Sequence, residues 1–368
     1  MNALEYTKEL IAIPSPSGEE RAITEFIKSM ITPFGTVTKT NHSLALHIKG
    51  KNTKRAFILN GHTDTVPTSD LWSHDPYVPI EKNGKLYGLG ASDMKSGIGI
   101  MLTLAEYYAA NQPPCDMWFM FVEKEEIDGS GTKTLLEHMP DMNSHYQEGA
   151  EGIILEPTDA GTVGIGHKGN VFATLTFEGI GGHGSVAKPY KQRAAHKAAM
   201  FMNKLQTISD LWDKKYSDTA LGSPTVNITN VHSGGSTALN AIPEVVTITL
   251  DIRTTPRLGA ALSDELTTIA KLYSCTVSYP YSPNSYGLCP ESSRLLNIAR
   301  KLFDAEKIGV FQGATDQLFF TEKNIPMLIY GPGCNAVMHQ PDEYVEISAI
   351  ETCLNTIKAI YTQYTAHS

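Results

Sequence analysis

Four short apolar runs in this chain each lead into acidic or imidazole side chains, and no other feature narrows the possible folds as much. Residues 56–60 run into Gly61-His62-Thr63-Asp64, residues 117–122 into Glu123-Lys124-Glu125-Glu126, and residues 152–155 into Glu156-Pro157. Residues 326–330 lead into a loop that reaches His339. Runs apolar on both faces that alternate with helical patterns predict a mostly parallel central sheet inside a layered α/β domain. In such sheets the crevice beyond the carboxyl ends of the strands is where ligands bind. A Gly-flanked loop, Gly88-Leu89-Gly90-Ala91-Ser92-Asp93-Met94-Lys95, adds Asp93 just before a Gly-rich helical pattern over Ser96–Ala110.

The remaining elements follow the same logic. Residues 3–13 and 19–30 show helical spacing, separated by Pro14-Ser15-Pro16-Ser17-Gly18. Near the other end, 293–303, Gln317–Glu322 and 347–364 read as helices and 326–330 as a buried strand. The middle differs. Strand patterns at 171–178, 225–231, 245–253 and 275–281, with helical ones at 193–211 and 259–272, give a β-α-β-β-α-β order. That is the split ferredoxin-like unit, whose antiparallel strands suit one covered and one open face. The expected layout is therefore a catalytic α/β domain built from 1–167 and 285–368, interrupted by an α+β domain at 168–284.

Composition sets the outer bounds. The chain has 368 residues, 41% of them apolar, enough for a substantial core, and a formal net charge of −9, which argues against nucleic acid as a partner. No stretch approaches the roughly 18 uncharged apolar residues of a membrane span. Glu5, Lys8 and Glu9 interrupt the N-terminal segment where a signal peptide needs an apolar core, so a cytoplasmic location and no membrane partner are expected. Five scattered cysteines without a CxxC pair indicate neither a disulfide framework nor a structural zinc cluster. Any metal must then be held by His and carboxylates.

Taken singly, each acidic or imidazole residue has an ordinary structural reading; Asp93, for example, suits a helix N-cap. Their convergence on one sheet edge does not, because like charges would crowd there. Divalent cations relieve the crowding: two of them set four positive charges against three carboxylates and a hydroxide, so the inner shell is about neutral.

His62-Thr63-Asp64-Thr65-Val66-Pro67, Gly90-Ala91-Ser92-Asp93-Met94-Lys95, Glu125-Glu126 with Gly129, Glu156-Pro157-Thr158 and His339-Gln340-Pro341 resemble, in order and spacing over essentially the whole chain, the co-catalytic di-zinc metallopeptidase and amidohydrolase family. That family includes acetylornithine deacetylase, succinyl-diaminopimelate desuccinylase and carboxypeptidase G. The resemblance implies two Zn²⁺ per subunit, with Co²⁺ or Mn²⁺ as possible substitutes, and an inserted domain that serves as lid and homodimer surface. It makes Asp93 the carboxylate bridging both metals, with a peptide after it that is commonly cis. His62 and Glu156 complete one metal site, Glu126 and His339 the other, and Asp64 orients His62. Glu125 is implied as the general base: it takes a proton from the metal-bridging water, the hydroxide attacks the amide carbonyl, and Glu125 returns the proton to the leaving amine.

The resemblance extends to the inserted domain. His183, in Gly181-Gly182-His183-Gly184-Ser185, matches the lid histidine that stabilises the oxyanion, often from the neighbouring subunit. Asn240, in Asn240-Ala241-Ile242-Pro243, is implied as a substrate ligand near the scissile group. Arg253 either pairs bidentately with a substrate carboxylate or forms an inter-strand salt bridge with an acid of the lid. Gly333, in Gly331-Pro332-Gly333, matches the substrate-pocket loop, and Gly313-Ala314-Thr315-Asp316 supports that pocket. Two departures stand out: Leu89 where the family often has Arg, and Gly184 between His183 and Ser185. Both bear on substrate choice.

The expected reaction is hydrolysis of the amide of a small N-acyl amino acid. Glu156-Pro157-Thr158, Gly166-His167-Lys168-Gly169 and the sequence His339-Gln340-Pro341-Asp342-Glu343-Tyr344 lean toward acetylornithine deacetylase over the desuccinylase. The alternative within the family is an amino- or carboxypeptidase acting on short peptides. A nucleotide-binding α/β protein would need Gly88-x-Gly90 or Gly164-x-Gly166 to complete a phosphate loop, and neither does. A binding protein that has lost catalysis would not need Glu125 and all five ligands.

Overall fold

A computed structural model of the chain describes residues 1–186, 189–234 and 238–366. Its backbone groups into two compact units: one comprises Met1–Gly166, Gly287–Phe311 and Thr315–Ser368, the other His167–Tyr286 with Gln312–Ala314.

The first unit is a layered α/β structure. Its nine-stranded sheet runs in the order Thr36–Thr40, Ser43–Ile48, Cys115–Val122, Asn52–His62, Ala150–Ile154, Met327–Ile329, Val163–His167 and Gly287–Leu288, with Ile308–Val310 paired to Val163–His167. The centre is parallel: Asn52–His62 pairs in parallel with Cys115–Val122 and with Ala150–Ile154, which pairs in parallel with Met327–Ile329. All eight residues of Cys115–Val122 are buried. Because side chains alternate across a strand, that one strand feeds two cores. Met117, Phe119 and Phe121, with Phe57 and Leu59, join the helices Ala3–Ile11, Ser96–Ala110 and Ile347–Thr365 on one face. Trp118, Met120 and Val122, with Ala56 and Ile58, join Leu135, Leu136, Phe319 and Phe320 on the other.

Local chemistry fixes the helix ends and contacts. Asn2 and Glu5 form a reciprocal capping box at the start of Ala3–Ile11. Ser96–Ala110 lies close against its neighbours through glycines. A Cβ on Gly97 would stand 2.8 Å from the Leu155 carbonyl, and one on Gly99 would stand 2.6 Å from the Ala3 carbonyl and collide with the Thr7 hydroxyl.

The second unit is a four-stranded antiparallel sheet in the order Thr225–Gly234, Val245–Thr254, Gly169–Glu178, Cys275–Ser278. Burial alternates strictly along Gly169–Glu178 and Val245–Thr254. Val171, Ala173, Leu175 and Phe177 thus pack with Ile248, Leu250 and Ile252 against Phe201, Trp212, Leu258 and Leu266 from the helices. The antiparallel ferredoxin-like order expected from the sequence is present. The helix expected over 193–211 instead divides into Ala194–Met202 and Leu205–Tyr216, broken at Asn203 and Lys204. A two-stranded ribbon, Gly182–His183 with Ala241–Ile242, has too few residues to leave a periodic signal.

Replacing Gly99 with Ala tests the close helix approach. The added methyl meets main chain that cannot swing away, so overpacking exceeds the ~1 kcal/mol gained in helix propensity. A net destabilisation of about 1 kcal/mol or more is expected in urea unfolding of the metal-free protein, and a stabilised variant would show that the two helices can separate.

Candidate metal centre

The parallel strands deliver their last residues to one edge. His62 is the final residue of Asn52–His62, Glu125 and Glu126 follow Cys115–Val122 by three and four positions, and Glu156 lies two residues beyond Ala150–Ile154. Asp93 comes from the turn before Ser96–Ala110, and the peptide that follows it is cis. His339 stands in the left-handed region at φ 59°.

These side chains form two groups that share Asp93. In the first, His62 Nε2 lies 3.0 Å from Asp93 Oδ1 and 3.9 Å from Glu156 Oε1. In the second, His339 Nε2 lies 3.1 Å from Asp93 Oδ2 and 3.1 Å from Glu126. The candidate ligand atoms within each group lie within 4.8 Å of one another. Glu156 Oε1 is buried with no hydrogen-bond partner in the structure. An orphaned carboxylate oxygen facing a buried imidazole is costly without a cation. The donor set therefore fits two divalent ions, each with three protein ligands and open positions.

The titration behaviour has the same cause. Burial alone would raise Asp93, but His339 and His62 prevail and hold it below the ordinary carboxylate range. Burial works against protonation of His62, yet Asp64 and Asp93 carry it well above its usual value. Asp93 and Glu126 lift His339 to about 10. Glu156 is raised chiefly by burial, and Glu125 by burial and then by the neighbouring Glu156 charge. Without metal, protons do the neutralising.

Asp64 does more than the sequence suggested. His62 Nδ1 meets the Asp64 main-chain carbonyl at 2.9 Å, while the nearer Asp64 carboxylate oxygen is 3.5 Å away. That carboxylate instead accepts from the main-chain N–H groups of Glu125 at 3.1 Å and Glu126 at 3.2 Å, and from Ser17 Oγ at 2.7 Å. It thus holds the backbone that carries the expected base and one ligand. Gly333 packs against the Ser92 carbonyl so tightly that any Cβ would collide with it, and its own carbonyl accepts from Asp159 N.

The roles of Glu20 and Glu343 escaped sequence reasoning, which placed Asp316 only in the motif that supports the substrate pocket. Glu20 accepts from the Lys124 and Gly18 main chain. Asp316, raised to about 7 chiefly by burial, accepts from Thr132 Oγ1 at 2.6 Å. Glu343 accepts from three main-chain N–H groups of the Asp93 loop. Only its place four residues beyond His339 could have pointed to it.

The expected substrate-binding residues of the second unit are described within that unit. His183 and Asn240 are adjacent: His183 Nε2 lies 2.8 Å from the Asn240 side-chain amide, beside a groove of about 550 Å³. The Ser185 main-chain N–H donates to His183 Nδ1 at 3.3 Å, and Ser185 Oγ lies 2.7 Å from the same nitrogen. The Asn240 amide nitrogen is the atom that faces Nε2, and which ring nitrogen donates and which accepts follows from the tautomer. Arg253 is engaged with Asp251, through Nε at 2.9 Å and Nη2 at 3.1 Å, so its salt bridge lies within the one strand Val245–Thr254 and not between strands as the sequence suggested.

Residues 58–363 match the model of peptidase family M20/M25/M40. Succinyl-diaminopimelate desuccinylase of Helicobacter pylori is 28% identical over 380 residues, covering 95% of this chain and 96% of the relative. The enzyme of the same name from Dechloromonas aromatica is 29% identical over 378 residues, covering 97% and 96%. Among solved structures, a Staphylococcus aureus tripeptidase superposes with TM-score 0.77 at 21% identity, covering 99% of this chain and 98% of that one. A dinuclear metal-binding M20 peptidase of Bacillus subtilis gives TM-score 0.69 at 16% identity, covering 99% and 98%. These structural likenesses establish the fold.

Metal uptake by the metal-free protein should release protons. At pH 7 His339, with its value near 10, holds a proton that a metal must displace. Apparent affinity should therefore fall as pH is lowered and rise as pH approaches 10. Calorimetric titration in buffers of differing ionisation enthalpy measures this, and a proton count of zero would contradict it.

Proposed function

The chain belongs to peptidase family M20/M25/M40 and is a hydrolase acting on amide bonds, and from that premise we infer that it cleaves the amide of a small N-acyl amino acid with two zinc ions. The observation that carries this reading is the shared Asp93, with one oxygen toward His62 and Glu156 and the other toward His339 and Glu126. Zinc suits a set of imidazoles and carboxylates with open positions. Bound divalent ions lower the pKa of water and polarise the substrate carbonyl.

The protein's own groups do the proton work. Glu125 takes the proton from the attacking water and passes it to the leaving amine, the two transfers a general acid–base carboxylate makes. Asp64 keeps Glu125 in place through its main chain. We assign His183 the role of donor to the tetrahedral oxyanion on its sequence resemblance; an imidazole N–H is the kind of donor that role needs. Asn240 and Arg253 remain the proposed substrate ligands, and Arg253 can take a carboxylate only by sharing or opening its pair with Asp251. We further propose that 168–284 acts as a lid and dimer-forming domain. The desuccinylases among its relatives direct the substrate toward a succinyl group rather than the acetyl group first expected.

The test is a panel of N-succinyl-diaminopimelate, N-acetylornithine and dipeptides given to the zinc-loaded protein. Faster cleavage of an acyl amino acid is expected, whereas preference for dipeptides would replace this reading with a peptidase. Glu125→Ala should retain two zinc ions and lose at least ~10³-fold in turnover, beside which normal turnover would remove Glu125 from the mechanism. His183→Ala should lose about 10²-fold, as for one oxyanion donor; an unchanged rate would leave His183 with a structural role.

A further inference from the structure

The Glu343 carboxylate accepts from the backbone that aims the central candidate ligand. Glu343 is 1% exposed and precedes the strand Tyr344–Glu346. Its Oε1 accepts from Ser92 N at 2.7 Å and Asp93 N at 3.0 Å, and Oε2 accepts from Gly90 N at 3.2 Å. Its main-chain carbonyl accepts from Gly88 N at 3.0 Å. Ser92 Oγ adds a further stitch, donating to the Tyr344 carbonyl at 2.5 Å and accepting from Cys334 N at 2.8 Å. The loop bearing Asp93 and the segment running from Cys334 through His339 to Tyr344 are thereby tied together, and the Glu343 carboxylate makes three of the ties.

Those three N–H groups lie where a turn leads into a helix, so the helix offers them no acceptor, and burial denies them water. A carboxylate is the side chain that can accept from all three at once. Asp93 then has little freedom, and each of its oxygens faces a different imidazole, Oδ1 toward His62 and Oδ2 toward His339. A shift of its main chain cannot be confined to one ligand group.

We propose that Glu343 is a positioning residue for the whole two-metal centre: by clamping the main chain at Gly90, Ser92 and Asp93, it sets the affinity of both metal sites together. The proposal rests on the two-metal reading above. It separates Glu343 from Glu126 and Glu156, each of which serves one group, and from residues that merely stabilise the fold.

The experiment is a Co²⁺ titration of the full chain followed by absorption and by metal stoichiometry, alongside thermal unfolding of the metal-free protein. Glu343→Gln keeps the side-chain shape but turns an amide toward N–H groups that need an acceptor. Both Co²⁺ affinities should fall together, by about tenfold to a hundredfold as for other groups that orient metal ligands, with kcat lowered more than KM is changed. Glu126→Gln should weaken one site more than the other. If Glu343→Gln does not fold, Glu343→Asp, which keeps the charge but loses reach, should show the same parallel weakening to a smaller degree. Unchanged affinities in the folded variant with a lowered unfolding temperature would overturn the proposal in favour of a purely structural role, as would weakening at one site alone. Wild-type protein that binds fewer than two Co²⁺ would instead overturn the two-metal reading on which it rests.

Discussion

A buried carboxylate set between two imidazoles is the constraint around which the first unit is built. Asp93 faces His62 and His339 with its two oxygens, and a charge in that setting is tolerable only with opposite charge and fixed geometry close by. The surroundings supply both. The peptide N–H groups around Asp93 are held by Glu343, and Asp93 itself lies just before the N-terminus of Ser96–Ala110, the end of a helix that favours an anion. Without metal, protonated imidazoles are the counter-charges; divalent ions can take their place.

The parallel sheet is what allows so many charges to meet. Parallel neighbours end at the same edge, so His62, Glu125, Glu126 and Glu156 arrive together from three adjacent strands although the others lie 63, 64 and 94 positions beyond His62 in the chain. Burial on both faces keeps those strands from shifting register, since a slip of one residue would exchange the two cores. Close approach does the rest: Gly333 and Gly331 let the loop after Met327–Ile329 lie against Ser92 and against the Leu155 and Glu156 carbonyls. The same buried network turns Asp64 from a partner of one imidazole into a clamp on the neighbouring loop.

The second unit follows a different rule, one covered sheet face and helices to cover it. Its polar features are local. Ser185 meets His183 Nδ1 from two residues away, across the extra Gly184, through both its main-chain N–H and its hydroxyl. Arg253 and Asp251 project from the same strand two residues apart, on one face, a spacing that permits their bidentate pair.

By itself the sequence determined the fold class and the identity of the acidic and imidazole residues, because apolar runs and the side chains that end them are written consecutively. The strands Asn52–His62 and Cys115–Val122 and the helix at Ser96–Ala110 were legible for that reason. Very short elements such as Gly182–His183 and Ala241–Ile242 were not, since two residues carry no period, and the break at Asn203 and Lys204 lies inside an uninterrupted helical pattern. Only the tertiary structure decided that Asp64 serves main-chain N–H groups, that Arg253 is paired with Asp251, and that Glu343 holds the Asp93 loop from 250 positions away. Those bonds join a side chain to backbone donors or to a neighbour's charge. Backbone N–H groups are the same at every residue, so no pattern in the sequence marks which of them a buried carboxylate will find.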